Sequence, residues 1–112
     1  MSDCLFCRIA AGEIPAKIVT EDDQFIAFHD IAPQAPTHIL VIPRKHVASL
    51  DAAEDAAMLG NLLALVRKIA RDEGVAEAGY RTVINTHANA GQAVDHLHAH
   101  ILGGRRMTWP PG

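Results

Sequence analysis

The segment His96-Leu97-His98-Ala99-His100 sets three imidazoles at alternate positions. In an extended strand alternate side chains share a face. At a rise of ~3.3–3.4 Å per residue the three rings would start ~6.6–6.8 Å apart, with Leu97, Ala99 and Ile101 turned to the core. Solvent faces of strands ordinarily carry Thr, Lys or Glu, so three histidines in unbroken alternation serve no packing need. Two chemistries fit them. Neutral imidazole is a nucleophile and a proton carrier near neutral pH, and His-x-His on a strand can offer two ligands to zinc. The second group is Cys4-Leu5-Phe6-Cys7, which contains the only two cysteines of the chain. A disulfide is not expected in a cytosolic chain, and a thioredoxin-like redox pair would need a βαβ context that the sequence lacks.

These groups belong to a set of seven histidines in 112 residues, at positions 29, 38, 46, 87, 96, 98 and 100. They are not contiguous, so they are not an affinity tag. Protonating all seven would move the formal charge from −3 to +4, so charge should respond strongly between pH 5 and 8. The rest of the composition is plain: 49% hydrophobic and 21% charged, which excludes a disordered chain and fits one domain over residues 1–112. No basic run tracks a nucleic-acid backbone, and no apolar run approaches the ~20 residues of a membrane span. Met1-Ser2-Asp3-Cys4 lacks the basic and then apolar order of a signal peptide. A cytoplasmic protein that binds neither nucleic acid nor membrane is expected.

The elements that would position these residues read as α+β. Residues 4–11 form a short helix with Asp3 as its cap and Gly12 at its end. Lys17–Thr20 and Phe25–His29 make a hairpin about Glu21-Asp22-Asp23. His38–Ile42 is a near-continuous apolar strand, suited to mid-sheet and ended by Pro43. One long helix is expected from about Asp51 to Glu73, with an apolar stripe of Leu59, Leu62, Leu63, Val66, Ile69 and Ala70, and Gly74 stops it. Tyr80–Asn85 and Asp95–Leu102 are the last two strands, joined by Thr86–Val94 as a loop with no element of its own. Short strands and tight connections imply a five-stranded antiparallel sheet with the long helix on one face.

The pattern His96-Leu97-His98-Ala99-His100-Ile101-Leu102 resembles the signature of the histidine triad superfamily of nucleotide hydrolases and transferases. Asp30-Ile31-Ala32-Pro33-Gln34-Ala35-Pro36-Thr37-His38 and Gly103-Gly104-Arg105-Arg106-Met107-Thr108-Trp109-Pro110-Pro111-Gly112 are similar to the nucleotide-binding branch that hydrolyses nucleoside phosphoramidates. The diadenosine-polyphosphate branch usually follows its triad with Pro-Arg where this chain has Gly103-Gly104-Arg105. The nucleotidylyltransferase branch lacks the third histidine, present here as His100. The resemblance covers essentially the whole chain and implies an edge-to-edge homodimer whose C-terminal tail reaches the partner's site. That places Trp109 near the interface, with an influence on leaving-group choice.

Carried over residue by residue, the resemblance makes His98 the nucleophile toward the α-phosphorus of a purine nucleoside 5′-phosphoramidate, with release of AMP or GMP. His38 and His100 would surround the phosphate, and His96 completes the triad. Asn85, Gly91 and Gln92 match positions around the phosphate. Ala93 stands where well-known members carry serine, so one hydroxyl donor is absent, at a cost of ~0.5–1.5 kcal/mol. Asp30 matches the carboxylate that accepts both ribose hydroxyls; as a residue alone it reads equally as a turn aspartate. Leu5, Phe6, Ile9, Phe28 and Ile31 match the apolar slot for the base, and their pattern alone reads as core. In a subset of relatives a Cys pair joins two histidines, here His46 and His96, to bind structural zinc, and zinc on His96 would fix the segment presenting His98. His29 and His87 are left as solvated polar residues. Two other readings stand beside the phosphoramidase: a nucleotide-binding regulatory or scaffold module with vestigial hydrolysis, and a zinc hydrolase using His96 and His98 as ligands.

Overall fold

The computed structural model describes residues 3–112. Its strands are β1 (Ile18–Glu21), β2 (Phe25–His29), β3 (Thr37–Pro43), β4 (Tyr80–Val83) and β5 (Ala99–Gly103), and its helices are α1 (Leu5–Ala10), α2 (Ala56–Asp72) and the single turn α3 (His87–Ala90). The five strands form one antiparallel sheet in the order β1-β2-β3-β5-β4. The chain leaves β3, crosses one face as α2, makes the edge strand β4, and returns to lay β5 between β3 and β4.

Period-two alternation splits the apolar residues between two faces. Phe25, Ala27, Ile39, Val41, Ala99 and Ile101 pack on one side with Met58, Leu62, Val66, Ile69 and Ala70 of α2. Ile26, Phe28, Leu40 and Ile42 pack on the other with Phe6 and Ile9 of α1. The seventeen-residue α2 thus covers the middle of one face, while the six-residue α1 covers only part of the second. Arg44 ties α1 down: its Nη1 donates to the Ala10 carbonyl at 3.1 Å, its Nε to the Asp22 carbonyl at 2.7 Å, and its Nη2 to Glu21 Oε1 at 2.7 Å.

Several boundaries differ from the sequence expectation. α2 begins at Ala56, not near Asp51, because Ser49 Oγ accepts the Ala52 N–H at 3.2 Å and holds a separate turn. Asp55 then caps the helix by accepting the Met58 N–H at 3.0 Å. Leu63 lies just outside the stripe and is 53% exposed, and Met58 takes a buried place instead. Cys4, not Asp3, caps α1, its Sγ accepting the Cys7 N–H at 3.3 Å. The segment 86–94 contains α3. β5 starts at Ala99, four residues later than expected, because the Leu97 N–H leaves the sheet ladder and donates to the Val47 carbonyl at 2.7 Å. Gly74, at φ +75°, follows α2 as expected. Among the described residues no helix is long and apolar enough to cross a membrane.

Leu62 is fully buried beneath the sheet, so Leu62→Ala should lower unfolding free energy by about 2–5 kcal/mol. Lys68→Ala breaks only an exposed i,i+4 ion pair with Asp72 and should change it by less than about 0.5 kcal/mol. Urea denaturation of the two variants measures both.

Candidate active site and metal cluster

His38, on β3, faces Leu102 across the ladder, while His100, on β5, faces Leu40. The two histidines are therefore diagonal neighbours on the face opposite α2, a spacing that long side chains bridge. Their rings meet with His38 Nε2 and His100 Nδ1 2.9 Å apart. His98 precedes β5; its ring is edge-on to Phe6, with centroids 5.0 Å apart, and tilted against His100, also at 5.0 Å. All three rings are half-buried or buried.

The hydrogen-bond partners settle which nitrogen of each ring carries its proton. A carbonyl can only accept, so His98 Nδ1–H donates to the His96 carbonyl at 2.7 Å and His98 Nε2 keeps a bare lone pair. The Gln34 amide donates to His38 Nδ1 at 3.0 Å, which places the His38 proton on Nε2. That Nε2–H donates to His100 Nδ1, so the His100 proton also sits on Nε2, a buried atom with no partner. Asp30 Oδ2 lies 3.5 Å from His38 Nε2, while Asp30 Oδ1 accepts the Ala32 N–H at 2.8 Å.

Burial also governs charge. Desolvation, then the neighbouring His98 and His38, push His100 down to about 4, against the pull of Asp30 upward. Desolvation lowers His38 as well, partly countered by Asp30. In the free site both rings are neutral near pH 7, so His100 offers a neutral N–H rather than a standing positive charge.

Cys4, Cys7, His46 and His96 form a second cluster, with four donor atoms within 4.8 Å of one another. The two Nδ1 atoms are 3.2 Å apart; Cys7 Sγ lies 3.3 Å from His46 Nδ1 and 3.5 Å from His96 Nδ1, and Cys4 Sγ lies 3.3 Å from His96 Nδ1. A tetrahedron with Zn–S of ~2.3 Å and Zn–N of ~2.0–2.1 Å requires N···N of ~3.3 Å and S···N of ~3.5 Å. His96 Nε2–H donates to the Pro43 carbonyl at 2.8 Å, so its Nδ1 is a lone pair turned toward the thiols, the arrangement that orients a metal-ligating histidine. The residues therefore fit a tetrahedral metal ion. Asp30, His38 and His100 also come together, but they fit a metal poorly. The Gln34 N–H already occupies His38 Nδ1, so metal at Nε2 would require a doubly deprotonated ring. His98 belongs to neither cluster, which leaves the His96–His98 zinc hydrolase without its ligand pair.

Other expected residues divide into three groups. Phe6, Ile9 and Phe28 are together in the buried cluster beneath the histidines, with Phe6 and Phe28 edge-on at 5.7 Å. Leu5 is exposed, and Ile31, at 100% exposure, stands on the rim of a cavity of about 740 Å³ that also contains Asp30 and His38. Trp109 is 81% exposed. Asn85 follows β4, and Gly91, at φ +77°, ends α3. Ala93 is exposed two residues on. The Gln92 side chain is engaged within the protein. Its Oε1 accepts the His87 N–H at 2.9 Å, and its Nε2 donates to the Ala48 and Val94 carbonyls at 2.8 and 3.0 Å. It staples the α3 turn to the β3–α2 connection and supports His87 at φ +66°.

Sequence reasoning missed Gln34, whose contribution is a main-chain N–H and leaves no compositional signal. It also missed His29 and Lys17, which line the same cavity; the adjacency of His29 to Asp30 was the available hint.

The HIT domain model matches residues 11–107. The chain is 57% identical to an uncharacterized HIT-like protein of Synechococcus elongatus, over 98% of this chain and 97% of that protein. It is 52% identical to another from Synechocystis, with the same coverage. The crystal structure of a HIT family hydrolase from Legionella pneumophila superposes with a TM-score of 0.96 at 54% identity, covering 98% of this chain and all of that one. A histidine triad protein from Clostridium difficile gives 0.91 at 44% identity, with 96% of each chain covered. The chain belongs to the HIT family.

Between about pH 4, where folded His100 titrates, and the ordinary 6.5, the unfolded chain binds a proton that the folded chain does not. Stability should therefore rise with pH across that window and fall on acidification. Urea midpoints from pH 7 to pH 4.5 should drop less steeply for His100→Asn than for the parent.

Proposed function

We propose that this protein is a purine nucleoside phosphoramidase, cleaving the P–N bond of adenosine or guanosine 5′-phosphoramidates. The observation that carries the reading is the opposed protonation of two adjacent rings: His98 has a bare Nε2, and His100 has a buried, unpartnered Nε2–H. A nucleophile and a proton donor thus stand side by side, which a displacement at phosphorus with an amine leaving group requires.

On binding of the anionic phosphate one proton from solvent is taken up at His38 Nδ1, displacing the Gln34 N–H, and Asp30 beside His38 favours that charge. Loss of the His100 Nε2 proton can then be made good by passage of the His38 Nε2 proton to His100 Nδ1. His98 Nε2 then attacks the α-phosphorus and the P–N bond to the amine breaks. The proton on His100 Nε2 passes to the departing nitrogen, so the amine leaves neutral and the pair returns to neutrality. The nucleotidyl-histidine keeps its Nδ1–H on the His96 carbonyl. Water attacks phosphorus next, its proton returns to the pair, and the His98–P bond breaks to release AMP or GMP. Asp30 and the cavity lined by Ile31, His29 and Pro33 receive the ribose and base. Asn85 and the Gly91–Ala93 backbone border the phosphate, where Ala93 offers no hydroxyl.

Zinc at Cys4, Cys7, His46 and His96 would be structural: four protein ligands close the tetrahedron and leave no position for water. Its effect would be to hold α1 and the His96 peptide that orients His98. The same reading expects a cytoplasmic homodimer, in which the unpaired outer edge of β4 meets its copy and Trp109 approaches the partner's site.

Rapid-quench assays with an adenosine phosphoramidate should show a burst of amine with AMP trapped on the protein, and His98→Ala should lose at least about 10³-fold in kcat. Full-speed hydrolysis by His98→Ala would overturn the mechanism, and tight AMP binding without turnover in the parent would favour the regulatory or scaffold module. Metal analysis of untagged protein should find one zinc per chain, and Cys7→Ser should lose the metal and melt at lower temperature. Chelated parent should still form the nucleotidyl-histidine but more slowly, since the metal would position the His96 peptide that orients His98 and takes part in no proposed proton transfer.

A further inference from the structure

The segment Gly103-Gly104-Arg105 takes no part in the reaction just described, yet it approaches the active site from the far end of the chain. Gly104 adopts φ +87°, and a Cβ there would lie 2.9 Å from Pro36 Cβ. A Cβ on Gly103 would lie 2.8 Å from Val75 Cβ. Only glycine allows the chain to turn this closely against the 33–36 loop. The turn delivers Arg105, whose Nε donates to the Gln34 carbonyl at 3.0 Å while its Nη1 donates to the Arg106 carbonyl at 3.1 Å. The guanidinium is thus held at two points and grips a residue 71 positions earlier.

Gln34 is the residue whose N–H donates to His38 Nδ1. Its side-chain amide turns away to the Ala32 carbonyl at 3.0 Å, leaving Arg105 to hold its main chain from the other side. We propose that Arg105 is a positioning residue for the proton relay: by fixing Gln34 it keeps the His38 proton on Nε2, and through that bond the His100 proton on Nε2. The inference rests on the reading of His38 and His100 as the relay that protonates the leaving amine.

The consequence of losing the grip follows from the ring chemistry. With the Gln34 N–H withdrawn, His38 Nδ1 can carry the proton, and His38 Nε2 then becomes an acceptor 2.9 Å from His100 Nδ1. That contact is favourable only if His100 moves its own proton to Nδ1. The nitrogen facing the reacting phosphorus would then have none to give. Arg105 therefore acts through two intervening residues and touches no substrate.

The test uses the full-length, metal-replete protein with ¹⁵N-labelled histidine, read by long-range ¹H–¹⁵N correlation and by steady-state kinetics on an adenosine phosphoramidate. In Arg105→Ala the His38 and His100 resonances should move from the Nε2–H pattern toward a tautomer mixture. Its kcat should fall about tenfold, the weight of one hydrogen bond from a charged donor, with KM changed by less than about twofold. Arg105→Lys, which keeps a donor able to reach the carbonyl, should restore most of both. Arg106→Ala removes the same charge one residue away while retaining its carbonyl, and should leave both at parental values. Unchanged His38 and His100 tautomers in Arg105→Ala, or an equal effect of Arg106→Ala, would overturn the inference. If the parent hydrolyses no phosphoramidate while the tautomers still shift, the functional reading fails and the role of Arg105 stands.

Discussion

Every triad imidazole and His38 has one ring nitrogen committed within the protein, and each commitment determines what the other nitrogen can do. The Pro43 carbonyl takes His96 Nε2–H and turns Nδ1 to the thiols. The His96 carbonyl takes His98 Nδ1–H and frees Nε2. The Gln34 amide blocks His38 Nδ1 and sends its proton to the ring nitrogen facing His100. Neutral histidine has two tautomers close in energy, so without these partners each ring would present a mixture. With them, three adjacent rings of one residue type present three different faces: a lone pair toward the thiols, a bare Nε2 and a buried Nε2–H.

The fold serves this arrangement by what it leaves uncovered. α2 packs across the central strands on one face, whereas the shorter α1 shields only part of the other, so buried rings and an open cavity share that second face. The same short helix brings Cys4 and Cys7 to His46 and His96. A metal there would connect α1 to the peptide that orients His98, so that helix docking and the geometry of the His98 ring would depend on one joint. On the opposite flank, the Gly103-Gly104 turn connects the C-terminal arm to the loop that orients His38. The histidine rings are thus held by segments from both the N-terminal and the C-terminal parts of the chain.

Much of this was legible in the sequence because it is periodic. The alternation of His98 and His100 with Leu97, Ala99 and Ile101 gave the correct faces, and the five-strand antiparallel sheet followed from strand lengths and turn residues. What escaped was set by long-range main-chain bonds. The β5 boundary moved to Ala99 because Leu97 pairs with Val47, 50 residues away. α2 began late because Ser49, a side chain that reads as loop, holds its own turn. Gln92 matched a phosphate position by resemblance, but its amide is engaged by Ala48, His87 and Val94, contacts no local pattern reveals. Gln34 escaped altogether, since any residue but proline could supply its N–H.

The central claim is the opposed protonation of His98 and its neighbours, and the direct measurement is the ring-nitrogen tautomer of each histidine in the ligand-free parent near pH 7. Long-range ¹H–¹⁵N correlation should show His98 protonated on Nδ1, with His38 and His100 protonated on Nε2. A spectrum in which His98 carries its proton on Nε2 would leave no lone pair for attack and would contradict the account.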